Sequence, residues 1–286
     1  MFNYRTYWGG NRGETGVTKG AMKGMEKDWL ADRRPTDVMQ GLAKGLAVIE
    51  AFGEGALGLS VSEVAERSGL DRATARRCLL TLNALGYADY DGKYFRLAPR
   101  TLRLGHAYTR SASLPATVQP VLEDLSDQTG ESASVSLLDD TEIIYVARAS
   151  QKRVMAISLM PGSRLPAYCS SMGRVLLAAL PPAMARDILE RSDRRAHTPH
   201  TVTGVDALME ILAAVAEAGY AGIDQELELG LCSLSVPLLD SRGTVVAAMN
   251  VGANLLRSPL PQMVETYLPL LRRAAARLRP LLDSRG

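Results

Sequence analysis

The sequence predicts an α+β chain of two domains: a small N-terminal domain of helices closed by a β-hairpin, and a larger C-terminal domain in which helices and antiparallel strands interleave. Three observations predict it. At 286 residues the chain exceeds what one hydrophobic core usually serves, which favours two domains. From Val38 to Leu85 the apolar residues recur at helical spacing, and the strand-like runs of YADYDGKYFRL follow at once. Beyond Leu114, runs such as SASVSLLD and EIIYVARAS are separated only by a turn at Asp139-Asp140, so neighbouring strands pair as hairpins and a doubly wound parallel sheet is disfavoured.

Residues 1–36 are rich in Gly, Lys, Arg and Asn and show no apolar period, the composition of a disordered basic arm. Met22, Met25 and Met39 equally allow a later start. Residues 37–100 follow the order of a winged helix-turn-helix. Leu42, Leu46, Ile49 and Phe52 mark a first helix that GEGALG ends. Ser60 and Glu63 have the spacing of a capping box for a second helix, with Val61, Val64 and Ala65 inward and Gly69 as its stop. Asp71 is a good N-cap for a third helix, whose buried stripe is Ala75, Cys78, Leu79, Leu82 and Leu85. Asp91-Gly92 is the pair that accepts positive φ at both centres of a type I′ turn, which makes the hairpin the wing. A linker helix is expected over residues 101–113, within LAPRTLRLGHAYTRSAS.

The second domain is expected over residues 114–283. Val118 to Thr129 has helical spacing, the Asp139-Asp140 hairpin follows, and RVMAISLM is a further strand. PGSRLPAYCSS is irregular. Helices are expected at Met172–Leu180, Pro182–Arg191 and Asp206–Ala218, strands at Cys232–Leu239 and Val245–Val251, and a last amphipathic helix from Pro261 to Leu282.

Apolar residues make up 47% and charged residues 22% of the chain, which excludes a fibrous or wholly disordered protein. The net charge of +2 is unevenly placed. Seven Lys and Arg face four Asp and Glu in residues 1–36, ten face eight in 37–110, and sixteen face nineteen in 111–286. A basic N-terminal third on an acidic body suits contact with a polyanion at one end and another task at the other. Cys78, Cys169 and Cys232 are odd in number and far apart, against a disulfide framework or a closed CxxC metal site. With no apolar run near the ~20 residues of a membrane span and no apolar signal core, a soluble cytoplasmic protein is expected.

A helix that enters the major groove buries one face on its own domain and offers cationic or hydrogen-bonding side chains on the other. In SVSEVAERSGLDRATARRCLLTLNALGY, Arg72, Ala73, Thr74, Arg76 and Arg77 fall largely off the buried stripe, and from residue 71 onward Asp71 is the only acid. Ser60 or Ser62 could hold a phosphate through backbone N–H groups, and Lys93 and Arg96 on the wing could reach the flanking backbone. The plain alternative is a solvated basic face on an ordinary helical hairpin. The conjunction of turn, cap, arginines and wing in one register favours double-stranded DNA.

LAKGLAVIEAF, the 60–87 stretch and YFRLAPRTLRLG resemble the DNA-binding half of the IclR-type (isocitrate lyase regulator) transcription factors. LPAYCSSMGRVLLAALP and GYAGIDQELELGLCSLSVPLLDSRGTVVAAMNVG resemble their effector-binding half. The resemblance spans about Asp37 to Leu282, and DQELELGL with YCSSMG is most similar to the regulators of protocatechuate and 4-hydroxybenzoate breakdown. It implies a winged helix, a connecting helix and a GAF-like effector domain with a six-stranded sheet. It further implies a homodimer that often pairs into a dimer of dimers, operator DNA of a catabolic operon as partner, and a small organic acid as effector, aromatic in that subgroup. No cofactor is implied. The ligand loop would be Gly162, Ser163, Arg164, Leu165, Pro166, Ala167, Tyr168, Cys169, Ser170 and Ser171, followed by Met172 and Gly173. The acidic position falls on Asp224, with Glu226 near it. The family's pocket cysteine aligns with Ser233, and two strand positions that are often serines become Asn250 and Gly252, departures that leave the ligand open.

A small carboxylate needs donors in a concave, mostly dry site. Ser170, Ser171, Ser233, Asn250 and the helix start near Met172 can supply them, with Leu165, Ala167, Tyr168 and Met172 as apolar walls. Serines before a helix are otherwise simple caps, and Arg164 is either a carboxylate partner or a surface residue. Hydrolase, NTPase and dinucleotide signatures are missing. Cys169 as a nucleophile lacks a placed histidine, because His106 falls in the linker and His197 and His200 in a loop, and His197-x-x-His200 with Asp193 lacks a further metal ligand. The expectation is a ligand-responsive transcription factor, without enzymatic activity or metal. Two rivals stay open: a metabolite-binding or enzymatic domain that uses its helix-turn-helix as a protein contact, and a constitutive architectural DNA binder, which the acidic C-terminal domain disfavours.

Overall fold

The computed structural model describes residues 38–53, 58–111, 113–150 and 159–282. The expected arm and all but the last two residues of the expected strand RVMAISLM lie outside them. The chain divides into two compact units between Tyr108 and Thr109.

The first unit contains α1 (Gln40–Glu50), α2 (Val61–Ser68), α3 (Arg72–Ala84), β1 (Ala88–Tyr90) and β2 (Phe95–Leu97), after which a 3-10 turn (Pro99–Thr101) runs into α4 (Leu102–Ser111). Local chemistry accounts for the helix starts. The Glu63 amide donates to Ser60 Oγ at 3.4 Å and the Ser60 amide donates to Glu63 Oε2 at 2.8 Å, a reciprocal capping box. Asp71 accepts from the Thr74 amide at 2.9 Å and so opens α3. Gly69 closes α2 at φ 68°, a left-handed turn that glycine adopts without a Cβ penalty. Val48, Val64, Leu79 and Phe95 form the centre of the small core.

Leu42 and Leu46 are 60% and 46% exposed, because only the C-terminal half of α1, at Val48, packs into this core. Two expectations are corrected here. Leu85 is exposed, since α3 ends at Ala84 and the chain turns away at Gly86, and Cys78 is only half-buried. The hairpin is not a two-residue type I′ turn. Tyr90 pairs with Phe95, which leaves Asp91 to Tyr94 in the loop, and Gly92 has positive φ but Asp91 does not. Asp91 instead accepts from the amides of Tyr94 at 2.8 Å and Lys93 at 3.0 Å, an Asx turn that, with the nearby Arg96, holds its carboxyl down at about 2.

The second unit holds α5 (Ser113–Thr129), β3 (Ser132–Asp139), β4 (Glu142–Ala149), β5 (Arg164–Pro166), α6 (Ser171–Ala178), α7 (Pro182–Arg191), α8 (Val205–Ala218), β6 (Ala221–Asp224), β7 (Leu231–Leu239), β8 (Val245–Asn254), α9 (Leu260–Thr266) and α10 (Leu268–Leu278). Its six strands lie in the order β5-β4-β3-β8-β7-β6, all antiparallel. One face of the sheet is apolar. Val135, Leu234, Met249 and Val251 pack there against Leu122 of α5 and Leu271 of α10. The other face carries polar residues at every second position, Ser132, Ser134 and Ser136 on β3, Ser233 and Ser235 on β7, Asn250 and Asn254 on β8, and α6 covers it.

β5 and β6 are strands that sequence patterning passed over: β5 lies inside the stretch expected to be irregular, and both are short edge strands of the sheet. β8 continues beyond Val251 to Asn254. The expected single C-terminal helix breaks at Tyr267, where Pro269 has no N–H to give the Glu265 carbonyl.

Candidate functional site

In the first unit, α3 presents Arg72, Ala73, Arg76 and Arg77 to solvent, while Ala75, Leu79 and Leu82 are buried and Thr74 is half-buried. The periodicity places Ala73 and Arg77 opposite the buried stripe, with Arg72 and Arg76 between. Among the described residues none of these three arginines meets a carboxylate. Other expected contacts are already engaged. Ser60 spends both its N–H and its hydroxyl on Glu63, which leaves Ser62, exposed in the first turn of α2, as the serine facing solvent. Arg96 is tied to Asp91 at 2.7 Å, whereas Lys93 is exposed, its ammonium 4.9 Å from the centre of the Tyr94 ring. The surface therefore rests on α3.

In the second unit, a cavity of about 190 Å³ lies between the polar face of the sheet and the start of α6. Leu165, Cys169, Ser170, Met172, Ser233, Asn250 and Gly252 of the expected ligand set line it, as does Ser171. Its floor is one hydrogen-bonded row. Asn250 Nδ2 donates to Ser233 Oγ at 3.0 Å, and Ser233 and Ser171 share a 2.6 Å hydroxyl contact. A Cβ added to Gly252 would meet nothing within 4 Å, so that glycine leaves room in the hollow. Ser170 caps α6 by accepting from the Gly173 amide at 3.2 Å, and the Ser136 hydroxyl donates to Met172 Sδ at 3.2 Å. Cys169 is fully buried, and burial pushes its thiol up to about 11, which makes it a wall and not a nucleophile at neutral pH.

Nine expected ligand residues stand elsewhere. Ser163 closes a turn on Met160, its hydroxyl accepting from the Met160 amide at 2.9 Å, and Pro166 ends β5 opposite Glu142. Gly162 sits in a turn with φ 93°, its N–H given to the Tyr145 carbonyl at 2.7 Å. Arg164 is a surface residue clamped between Asp139 and Glu142, the latter at 2.7 Å. Ala167 and Tyr168 are core, and the Tyr168 hydroxyl donates to the Arg195 carbonyl at 2.5 Å. Asp224 is exposed and accepts from the Cys232 thiol at 3.3 Å. Glu226 is buried and paired with both terminal nitrogens of Arg174, at 2.7 and 2.6 Å. Gly173 packs so closely on the loop before it that an added Cβ would lie 2.2 Å from the Ala167 carbonyl oxygen and 2.4 Å from its Cα. Gly173→Ala is accordingly expected to cost about 3 kcal/mol of stability by overpacking against backbone. Urea unfolding measures this, and an unchanged midpoint would show that the loop yields.

Residues not foreseen complete the lining. Ser132, Ser134, Tyr145 and Arg148 come from β3 and β4, Leu159 from the segment before β5, Ile223 from β6, and Leu227 to Leu231 with Asn254 close the side. Arg148 reaches the cavity through a register shift. Val135 pairs with Ala147 but Ser136 pairs with Tyr145, so a bulge at Val146 brings Tyr145 and Arg148 onto one face, where strict alternation would oppose them.

Comparison with known proteins supplies a frame for both sites. The IclR helix-turn-helix domain matches residues 41–92, and the family described as bacterial transcriptional regulator IclR C-terminal matches residues 106–279. The chain is 42% identical to the Pca regulon regulatory protein of Pseudomonas putida over 82% of its own length and 81% of that protein. It is 39% identical to the p-hydroxybenzoate hydroxylase transcriptional activator of Acinetobacter baylyi, over 87% and 94%. Its structure is similar, with a TM-score of 0.68 and 26% identity over 82% of this chain and 96% of the other, to a crystal structure of an IclR homolog complexed with 4-hydroxybenzoate from Microbacterium hydrocarbonoxydans.

Proposed function

The chain belongs to the IclR family of bacterial transcriptional regulators, and on that premise we propose that α3 docks in operator DNA through Arg72, Arg76 and Arg77 while the cavity beneath α6 binds a hydroxylated aromatic acid. The protein is a ligand-responsive DNA-binding regulator and not an enzyme. The observation that carries the ligand reading is the cavity itself, a small hollow whose polar floor of Ser171, Ser233 and Asn250 meets apolar walls such as Leu165, Met172 and Ile223. Such a site suits one flat ring with a few polar substituents. The 4-hydroxybenzoate complex of a structural relative, and the hydroxybenzoate hydroxylase activator among the curated relatives, support aromatic acids as the class.

The working unit is a homodimer or a pair of dimers. One short helix reads few base pairs, and paired half-sites multiply specificity. Met39, which precedes α1, and Leu42 and Leu46 on it are exposed apolar residues at a spacing that suits burial against a second copy. Effector binding then acts by mass action, shifting DNA affinity only by its differential affinity for two arrangements of the paired recognition helices.

An electrophoretic mobility shift with the intergenic DNA upstream of the gene, titrated with 4-hydroxybenzoate or protocatechuate, tests this. Salt-sensitive, sequence-selective binding that the acid alters is expected. No retention, together with turnover of the ligand, would favour a metabolite-handling domain whose helix-turn-helix contacts protein. Ser233→Leu should abolish the response to the acid and leave DNA binding intact, because leucine replaces a floor hydroxyl with bulk. A normal induction curve would remove Ser233 from the site.

A further inference from the structure

We propose that Arg148 holds the ionised carboxylate of the effector, and that Asn250 Oδ1 accepts a hydrogen bond from a hydroxyl elsewhere on the same molecule, so that the cavity selects hydroxy acids. The inference rests on the aromatic-acid reading above and adds to it the two groups that fix the ligand's orientation and the reason that unsubstituted acids are rejected.

Arg148 is a half-buried cation in the cavity wall, without a counterion among the described residues. Its side chain donates to the Ser134 hydroxyl at 3.3 Å, and among the described residues no carboxylate pairs with it. Arg164 and Arg174 of the same domain both meet carboxylates. Desolvation pulls the Arg148 guanidinium below its ordinary value, so part of the cost of burying its charge is left uncompensated by the protein. An anion entering the cavity would relieve that cost, and a carboxylate matches the planar fork in a bidentate pair.

Asn250 makes the complementary demand. The residue is 7% exposed, and its Oδ1 is a buried side-chain oxygen with no hydrogen-bond partner among the described residues. One of its two amide N–H groups goes to Ser233, whose own hydroxyl proton is then free for Ser171. The Oδ1 itself is a bare acceptor, which disfavours a carboxylate and pairs with an O–H donor.

The register ties the two together. Ser134 lies opposite Arg148 on one side and Asn250 on the other, so both side chains stand on the cavity face of three adjacent strands. Their backbones are two strand spacings apart, about 10 Å. A rigid ring that keeps its carboxylate and its hydroxyl at separate positions can meet both groups. The competing anion site is the start of α6, where Ser171 and Met172 also line the cavity, but it offers a partial charge where Arg148 offers a full one.

Calorimetric titration of the full chain separates these possibilities with four probes, 3- and 4-hydroxybenzoate, benzoate and the neutral 4-hydroxybenzamide. Arg148→Gln should weaken the tighter hydroxybenzoate about 100-fold and change the affinity for the amide less than about threefold. Asn250→Ala should erase a preference for hydroxybenzoate over benzoate of about tenfold or more while leaving benzoate affinity nearly unchanged. Operator binding at the wild-type level certifies that each variant is folded. Should Arg148→Gln fail that check, Arg148→Lys carries the test, expected to weaken hydroxybenzoate while still preferring it to the amide. Equal loss of acid and amide, no loss of either, or benzoate bound by the wild type as tightly as both hydroxybenzoates would overturn the assignment and leave the aromatic-acid reading standing. Failure of the wild type to bind any of the four would overturn both.

Discussion

Arg174→Met is expected to lower the unfolding free energy by about 3–5 kcal/mol, the range for removing one partner of a buried ion pair. Arg174 is 3% and Glu226 is 7% exposed, and the two meet through both carboxylate oxygens. Arg174 Nε donates to the Tyr168 carbonyl at 3.0 Å, and Glu226 Oε2 also accepts from the Val202 amide at 3.1 Å. Methionine fills much of the arginine's volume but leaves a carboxylate in the interior with one amide for company. For a domain of this size the loss corresponds to a fall in Tm of about 10 °C. The double variant Arg174→Met with Glu226→Leu should recover most of it, because no charge is then stranded. A single variant that melts like the wild type would show that water reaches Glu226. The pair also bears on function. It joins α6 to the segment that leads into Leu227 to Leu231, which closes the cavity, so the single variant should lose effector affinity under conditions where it is still folded.

The sites follow rules of unequal reach along the chain, and this decides how much of them sequence patterning reveals. Caps and helical stripes are local. Ser60 with Glu63, and Asp71 with Thr74, act across three residues and could be recognised directly. The arginine face of α3 is legible for the same reason. The floor of the cavity is half-legible: SASVS on β3 and SLS on β7 alternate polar and apolar residues, and in a sheet covered on both sides a polar alternation can mark a lined hollow as well as a solvated face. Arg148 could not be reached in this way. Period-two counting from Ile143 and Tyr145 puts it on the opposite face, and only the bulge at Val146, a property of the β3-β4 pairing, reverses it. Glu226 lies off the cavity lining, paired with Arg174, and its place was hidden for a related reason. An acid two residues from the end of a strand looks like pocket chemistry until its partner, 52 residues earlier on α6, is known.

The second large effect is expected at the DNA surface, where replacing both Arg76 and Arg77 with alanine should lower operator affinity about 100-fold or more at physiological salt without changing the melting temperature. Both side chains are exposed and lie off the stripe formed by Ala75, Leu79 and Leu82, so their removal takes nothing from the core. The salt dependence separates their roles. An arginine that neutralises a phosphate contributes about 0.9 to the slope of log affinity against log salt, and its loss weakens all sequences alike. An arginine that reads a guanine edge leaves the slope nearly unchanged and costs about 1–3 kcal/mol of discrimination at that base pair. By helical phase Arg77 lies opposite the buried stripe beside Ala73, whose small side chain permits close approach to base edges. Arg76 stands with Arg72 toward the flank, nearer the course of a phosphate strand. The expected pattern is therefore a loss of specificity for Arg77→Ala and a loss of salt slope for Arg76→Ala. Unchanged affinity in both single variants would take α3 out of DNA recognition and with it the role assigned to the whole N-terminal unit.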